Sequence, residues 1–175
     1  YFERAPEPKM YTLYYAHNLH FLAYAAMMSG RYEDALKAAR DLEADVNEDA
    51  LRDLAPLIEG VMPTTLHVMI RFGKWEEILE EPEYPEWRLV SRAVYHYGRS
   101  IAHSALGEVE EARAELDTFY NVVQTIPEDW YIFNNKVHSV LPIAEAMIQG
   151  ELWWREGKRD DAYAVLRKGI EAEDA

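Results

Sequence analysis

Two histidines separated by two residues are the sharpest chemical feature of the sequence. They stand in the segment His17-Asn18-Leu19-His20, and residues three apart on a helix share a face. Two imidazoles placed in this way could bind a divalent metal, with His67 or an acidic side chain as a third ligand. The segment lacks the glutamate and the four-residue spacing of the zinc hydrolase motif. A structural role in hydrogen bonding therefore stays open beside metal binding.

Tyrosines are concentrated around this histidine pair. A tyrosine ring offers a large contact area with a hydrogen-bonding tip, which suits a groove for a peptide or small ligand. The alternative is that these rings pack against a preceding repeat of a longer protein. The tyrosines of the segment are Tyr11, Tyr14, Tyr15 and Tyr24.

Three arginines at spacings of four and seven form a basic stripe in an acidic protein. Arg88, Arg92 and Arg99 would lie on one side of a helix, where they could hold the carboxylate of a peptide terminus. Pairing within the chain is the alternative, because exposed ion pairs are common and weak. The acidic neighbours considered for this pairing are Glu76, Glu77 and Glu80.

Signatures of catalysis are missing from the sequence. There is no glycine-rich phosphate loop, no G-x-S-x-G elbow and no nucleotide-binding fingerprint. The chain also has no cysteine, which excludes disulfides, thiolate metal ligands and cysteine nucleophiles. No residue can be named as a catalyst, and we expect a binding protein rather than a self-contained enzyme.

The charge balance limits the classes of partner. The 32 acidic and 18 basic residues give a net charge of −14, which repels phosphate backbones and anionic lipid. We therefore expect neither nucleic acid nor a membrane as a partner. No stretch resembles a signal peptide or is apolar enough to span a bilayer, so we expect a soluble protein of the cytoplasm or periplasm.

Four glycines mark junctions of the same kind. After each one the pattern is G-x-φ-[ED]-[ED]-[AI], where φ is apolar except in the last copy, which has Arg159. Glycine after a helix adopts the left-handed conformation that ends it, and acidic residues suit the first turn of the next helix. The small residue that follows lets two helices approach closely. The pattern predicts four helix hairpins, with their turns at Gly30, Gly73, Gly107 and Gly157.

These junctions carry a resemblance to a known family. Gly73 and Gly107 are 34 residues apart, and the other two spacings are 43 and 50 residues. The alanines Ala35, Ala112 and Ala162 stand where an A-x-x-x-F segment would begin, and Gly150-x-x-Trp153 matches part of an L-G-x-x-Y segment. In these features the sequence resembles tetratricopeptide repeat (TPR) proteins. The longer spacings predict extra loop or helix near Pro56, Pro63, Pro127 and Asn134-Asn135.

The resemblance implies an all-α solenoid of about four antiparallel helix pairs in a right-handed superhelix. In this family the first helix of each pair lines a concave groove, which implies a peptide groove and places His96 and His103 between helices. We expect one domain over residues 1–175, with repeats at about 11–46, 50–81, 88–126 and 138–172. We expect its helices at 12–28, 32–45, 50–72 (interrupted near Pro56 or Pro63), 75–81, 88–106, 109–125, 138–156 and 159–172, with loops at 82–87 and 127–136 and no strand. The groove residues would be His17, His20, Tyr24, His67 and Arg71.

Three functions follow as hypotheses. The first is a TPR scaffold that binds a protein or peptide in its groove, without a cofactor. The second is a metal- or small-molecule-binding domain centred on His17 and His20. The third is purely structural. The chain beginning at Tyr1 would be a middle section of a longer, bacterial-type TPR array, or a piece that self-associates through its terminal repeats.

Overall fold

A computed structural model describes residues 11–174, with side chains from Leu13 onwards, and it is almost entirely helical. Short connections separate most of the helices, and a two-stranded hairpin precedes α8. The predicted all-α repeat class is confirmed. The helices are α1 (Tyr11–Met28), α2 (Tyr32–Asp45), α3 (Glu48–Ile58), α4 (Thr64–Arg71), α5 (Trp75–Glu80), α6 (Leu89–Leu106), α7 (Val109–Val123), α8 (Val137–Arg155) and α9 (Arg159–Glu173); a 3-10 segment spans Glu59–Val61, and the strands are β1 (Tyr131–Ile132) and β2 (Asn135–Lys136).

The four glycine junctions share one geometry. Each glycine has a positive φ, between 65° and 86°. At the third junction the N–H of Gly107 donates to the carbonyl of Ser104 at 3.0 Å, and the N–H of Glu108 donates to the carbonyl of His103 at 2.8 Å. This pair of bonds is the Schellman motif, and the same pair recurs at the other three junctions. The predicted helix hairpins are therefore confirmed.

Small residues allow the paired helices to pack closely. Ala35, Ala112 and Ala162 are all 0% exposed, each on the second helix of its hairpin. Gly150 does the same for α8 and α9, because a Cβ atom there would lie 2.6 Å from Cγ of Leu166. A distance this short leaves no room for a methyl group, so the close contact between these helices depends on glycine.

The first helices of successive hairpins lie side by side in the order α1, α4, α6 and α8. The main core surrounds α6, and its fully buried members include Val90, Ala93 and Phe119. None of the described helices combines the length and apolar character needed to cross a bilayer. The right-handed sense of the superhelix stays a prediction.

The second hairpin departs from the simple pattern. The predicted helix over 50–72 is interrupted as expected, and it is divided into α3, the 3-10 segment and α4. Pro56 lies inside α3, whereas Pro63 stands at the break immediately before α4. Proline fixes φ and has no N–H to donate, which accounts for the end of regular helix at Pro63.

A buried carboxylate in the 3-10 segment holds the start of α6. Glu59 is 0% exposed and accepts hydrogen bonds from the backbone N–H groups of Val90 at 2.6 Å and Ser91 at 2.8 Å. Nε of Arg88 lies 3.7 Å from the same carboxylate. These amides belong to the first turn of α6 and have no partner within the helix. Glu59 thus acts as an N-terminal cap from a different repeat.

The loop between α7 and α8 contains a short antiparallel hairpin, so the prediction of a loop without strands over 127–136 is wrong there. Tyr131 pairs with Lys136 and Ile132 with Asn135, which is too short a ladder to show an alternating pattern in sequence. Phe133 in the turn has a φ of 54°, which costs a bulky residue about 1–3 kcal/mol. A Cβ atom at Gly60 would lie 2.5 Å from Cγ1 of Ile132, so β1 packs tightly on the 3-10 segment.

Candidate functional site

The five predicted groove residues lie on two adjacent first helices. We call them the histidine row: His17, His20 and Tyr24 on α1, with His67 and Arg71 on α4. Four of them are exposed and His20 is half-buried. All five side chains are therefore accessible to a ligand, as a groove requires.

The imidazoles of the row lie in an environment that disfavours positive charge. Burial lowers the pKa of His20, and the nearby His17 adds to this effect. Burial lowers the pKa of His67 to about 4, and the neighbouring His20 adds to it. The His67 side chain nevertheless keeps an accessible surface. Both imidazoles are accordingly neutral at pH 7.

Two polar groups of the row lack partners within the described residues. Nδ1 of His20 is buried and has no hydrogen-bond partner among them. Arg71 makes no ion pair with any described residue. Most other arginines lie against a carboxylate of this chain; they are Arg31, Arg40, Arg52, Arg88, Arg92, Arg99, Arg113 and Arg155.

The arginine stripe on α6 faces carboxylates of the chain itself. Arg88 lies near Glu59 and over the ring of Tyr84, 4.3 Å from its centroid. The partners of the stripe are Glu59, Glu83 and Glu115, rather than Glu76, Glu77 and Glu80. A peptide carboxylate would have to displace these contacts, so its binding to Arg88, Arg92 or Arg99 stays a prediction.

His96, one of the two histidines of α6, packs at the interface between α6 and α7. His96 is 7% exposed, and its Nδ1 lies 2.7 Å from Oε2 of Glu115 on α7. Oε1 of the same carboxylate accepts a hydrogen bond from Nε of Arg99 at 2.5 Å. Both contacts lower the pKa of Glu115 against the opposing effect of burial, which is the largest single influence. The predicted packing of His96 between helices is confirmed.

An apolar cavity of about 190 Å³ opens beside the histidine row. Its walls come from α1, the end of α2, α3, the 3-10 segment and the turn of the β-hairpin. His17 and His20 line it together with Ala50, Leu54 and Phe133. The rings of His20 and Phe133 are 5.4 Å apart between centroids. The sequence did not predict this cavity because the segments that form its walls are far apart in the chain. The long spacings of 43 and 50 residues between junction glycines contain two of these segments, namely α3 with the 3-10 segment and the β-hairpin.

Helix α1 also exposes apolar side chains beside the histidine row. This helix contains no charged residue, and it exposes Tyr14, Phe21, Leu22 and Met28 at 52–65%. Self-association through this terminal repeat stays a prediction.

Metal binding requires a third ligand beside the histidine pair. No group of three His, Cys, Asp or Glu side chains suited to a metal ion occurs within residues 11–174 as described. The ring of His17 lies 4.5 Å from that of Phe21, measured between centroids. A metal at His17 and His20 stays a prediction.

Comparison with known proteins points to one family. The family model of the tetratricopeptide repeat matches residues 93–118, which cover most of α6, the Gly107 junction and the first part of α7. No curated protein and no solved structure matches the chain. The matched segment contains the second of the two glycines with the 34-residue spacing, and the same junction geometry occurs four times. Residues 93–118 are thus similar to a tetratricopeptide repeat, and the other three junctions share the geometry of the matched one.

Proposed function

We propose that this protein is an interaction scaffold whose ligand, a peptide or an extended protein segment, lies along the histidine row. Tetratricopeptide repeats generally mediate protein–protein interactions, which supports a scaffold role. The stacking of helix pairs supports it too, because it leaves a continuous surface along the first helices.

The observation that carries the proposal is an accessible row of polar side chains with unused hydrogen-bonding capacity. Neutral His67 can donate through one ring nitrogen and accept through the other, which suits the N–H and C=O groups of a peptide backbone. Neutral His20 can make one such bond through Nε2, because its Nδ1 is buried. Arg71 supplies donors free of any acidic partner among the described residues and can bind a carboxylate or a carbonyl. Tyr24, 52% exposed, adds apolar contact area with a hydroxyl tip.

The test begins with peptides selected from a random 12-residue library on the wild-type protein. Their affinity is then measured by fluorescence anisotropy for wild type, Arg71→Glu, His67→Ala and the matched control Arg167→Glu. Arg167 is exposed on α9 and lies outside the row. We expect Arg71→Glu and His67→Ala each to weaken binding about tenfold or more, and Arg167→Glu to change it little. Equal binding by all four proteins would refute the row as the ligand site.

A second candidate function is metal binding at His17 and His20. It is favoured by the interaction between the two imidazoles of the pair, since the nearby His17 contributes to the lowered pKa of His20. A lowered pKa keeps imidazole in the neutral form that binds metals. The test is a thermal melt with and without zinc or nickel, on wild type and on His17→Ala/His20→Ala. A metal-dependent rise in Tm that the double variant loses would support the site, and no rise would argue against it.

A further inference from the structure

We infer that the apolar cavity beside the histidine row receives one uncharged aromatic or branched aliphatic side chain of the bound peptide. The inference rests on the proposed function and deepens it, because it names the kind of residue that anchors the ligand. Four features of the cavity support it: its size, its lining, its position and the elements that build it.

The size suits one large apolar side chain. An apolar cavity of about 150 Å³ in another protein binds benzene, and this one measures about 190 Å³. A phenyl ring or the branched end of a leucine or isoleucine side chain fits such a volume.

The lining excludes a charged occupant. Among the residues that the structure describes, no charged side chain contributes to the walls, and the only ionisable ones there are His17 and His20. A buried ammonium or carboxylate would lose its hydration without gaining a partner of opposite charge. An apolar group, by contrast, gains free energy by leaving water in proportion to its buried area.

The position connects the cavity with the row. His17 and His20 belong to both, so a peptide that lies along the row passes the mouth of the cavity. Leu13, Leu57 and Phe133 also line the cavity and are 37%, 57% and 52% exposed. A peptide side chain can therefore reach the cavity from the same surface that the row offers to the backbone.

The cavity is built by the segments in which this chain departs from a 34-residue repeat. The longer first spacing contains α3 and the 3-10 segment, and the longest contains the β-hairpin with Phe133. The left-handed backbone at Phe133 is unfavourable for a bulky residue, yet it holds the ring against His20 and over the cavity. The tight contact between Ile132 and Gly60 keeps the hairpin in this place.

The first experiment tests the cavity with toluene, the free analogue of a phenylalanine side chain, and with n-butylammonium, the analogue of lysine. Amide chemical shifts are followed by NMR in wild type, in Ala50→Phe, which fills the cavity, and in Ala114→Phe. Ala114 is exposed on α7 and provides the matched control. We expect toluene to shift the amides of cavity residues in wild type and in Ala114→Phe, and to bind Ala50→Phe at least about tenfold more weakly. Butylammonium should shift none of them. Equal toluene binding by Ala50→Phe, or none by wild type, overturns the inference.

If Ala50→Phe does not fold, Phe133→Ala takes its place, because it removes one wall without adding volume. Loss of this ring should weaken toluene binding severalfold, and unchanged affinity would count against the inference.

The second experiment uses the peptides selected on the wild-type protein. We expect one apolar residue in each whose change to alanine weakens binding about tenfold or more in wild type and in Ala114→Phe, but little in Ala50→Phe. Peptides that depend on Arg71 and His67 but not on any apolar residue would overturn the inference and leave the proposed function standing. Peptides whose affinity is unchanged by Arg71→Glu and His67→Ala would refute the proposed function itself. Toluene binding without any such peptide anchor would assign the cavity to free small molecules, against the inference.

Discussion

Replacing Glu59 should destabilise the fold more than replacing any exposed glutamate. The carboxylate is fully buried and accepts two short hydrogen bonds from the first turn of α6, with Arg88 close by. In Glu59→Ala the N–H groups of Val90 and Ser91 lose their acceptor, at about 1–2 kcal/mol for each buried donor. The expected loss in the free energy of unfolding is about 2–4 kcal/mol, or a fall in Tm of roughly 5–15 °C for a chain of this size.

The variant Glu59→Gln separates the hydrogen bonds from the charge. Its amide oxygen can serve one of the two N–H groups, while its NH₂ group cannot accept from the other. We therefore expect about half of the loss, about 1–2 kcal/mol. Glu86→Ala is the matched control, because Glu86 is exposed and its removal should change stability by less than about 0.5 kcal/mol.

The pH dependence gives a second readout. Burial raises the pKa of Glu59 above 4.5, against the opposing hydrogen bonds of Ser91 and Val90 and the charge of Arg88. The folded protein thus binds this proton more readily than the unfolded chain. The associated stability is fully present below 4.5 and is lost as pH rises through the folded pKa. The advantage of wild type over Glu59→Ala should accordingly be larger at about pH 5 than at about pH 8.

The assays are urea unfolding followed by circular dichroism and hydrogen exchange of the amides of Val90 and Ser91. In Glu59→Ala both amides should exchange faster than in wild type, because their protecting acceptor is gone. A stability loss below about 1 kcal/mol, or unchanged exchange at both amides, would refute Glu59 as the cap of α6.

Three further predictions concern single positions. Gly107→Ala should destabilise the fold by about 1–2 kcal/mol because φ is +86° there, whereas Gly98→Ala inside α6 should be neutral or stabilising by up to about 1 kcal/mol. The methyl group added at Gly98 meets its neighbours at ordinary distances of 3.6 Å or more. Equal urea midpoints for the two variants would contradict this prediction. His67 should titrate by NMR at a pKa of about 4. The folding stability linked to this group should be present above pH 6.5 and lost as pH falls from there towards 4, so His67→Gln should flatten that part of the profile of stability against pH. A measured pKa near 6.5 would show instead that the ring is fully hydrated. Gly150→Ala should lower the free energy of unfolding by about 1–3 kcal/mol through overlap with Leu166. Leu166→Ala should then destabilise the Gly150→Ala variant less than it destabilises wild type, a coupling that a double-mutant cycle measures. Additive losses in stability would mean that the two side chains do not touch.

The sequence by itself determined the helix hairpins and most helix ends. The Schellman hydrogen bonds at Gly107 join residues no more than five positions apart, so the glycine and the acidic first turn that follows it contain most of the information. The burial of Ala112 also follows from the sequence pattern within one hairpin, whereas the placement of His96 between helices followed from the resemblance to tetratricopeptide repeats. Local chemistry was sufficient for the hairpins and for the burial of Ala112.

Only the tertiary structure decided which distant groups meet. The cap on α6 comes from Glu59, more than 30 residues away, and the partners of the arginine stripe include Glu115 on another helix. The cavity joins α1 to Phe133 across more than 100 residues. Such contacts depend on how hairpins stack and on how far inserted segments reach back over them. A local sequence pattern does not predict which distant groups meet, because the free energy of a long-range contact depends on the packing of every element between its two ends.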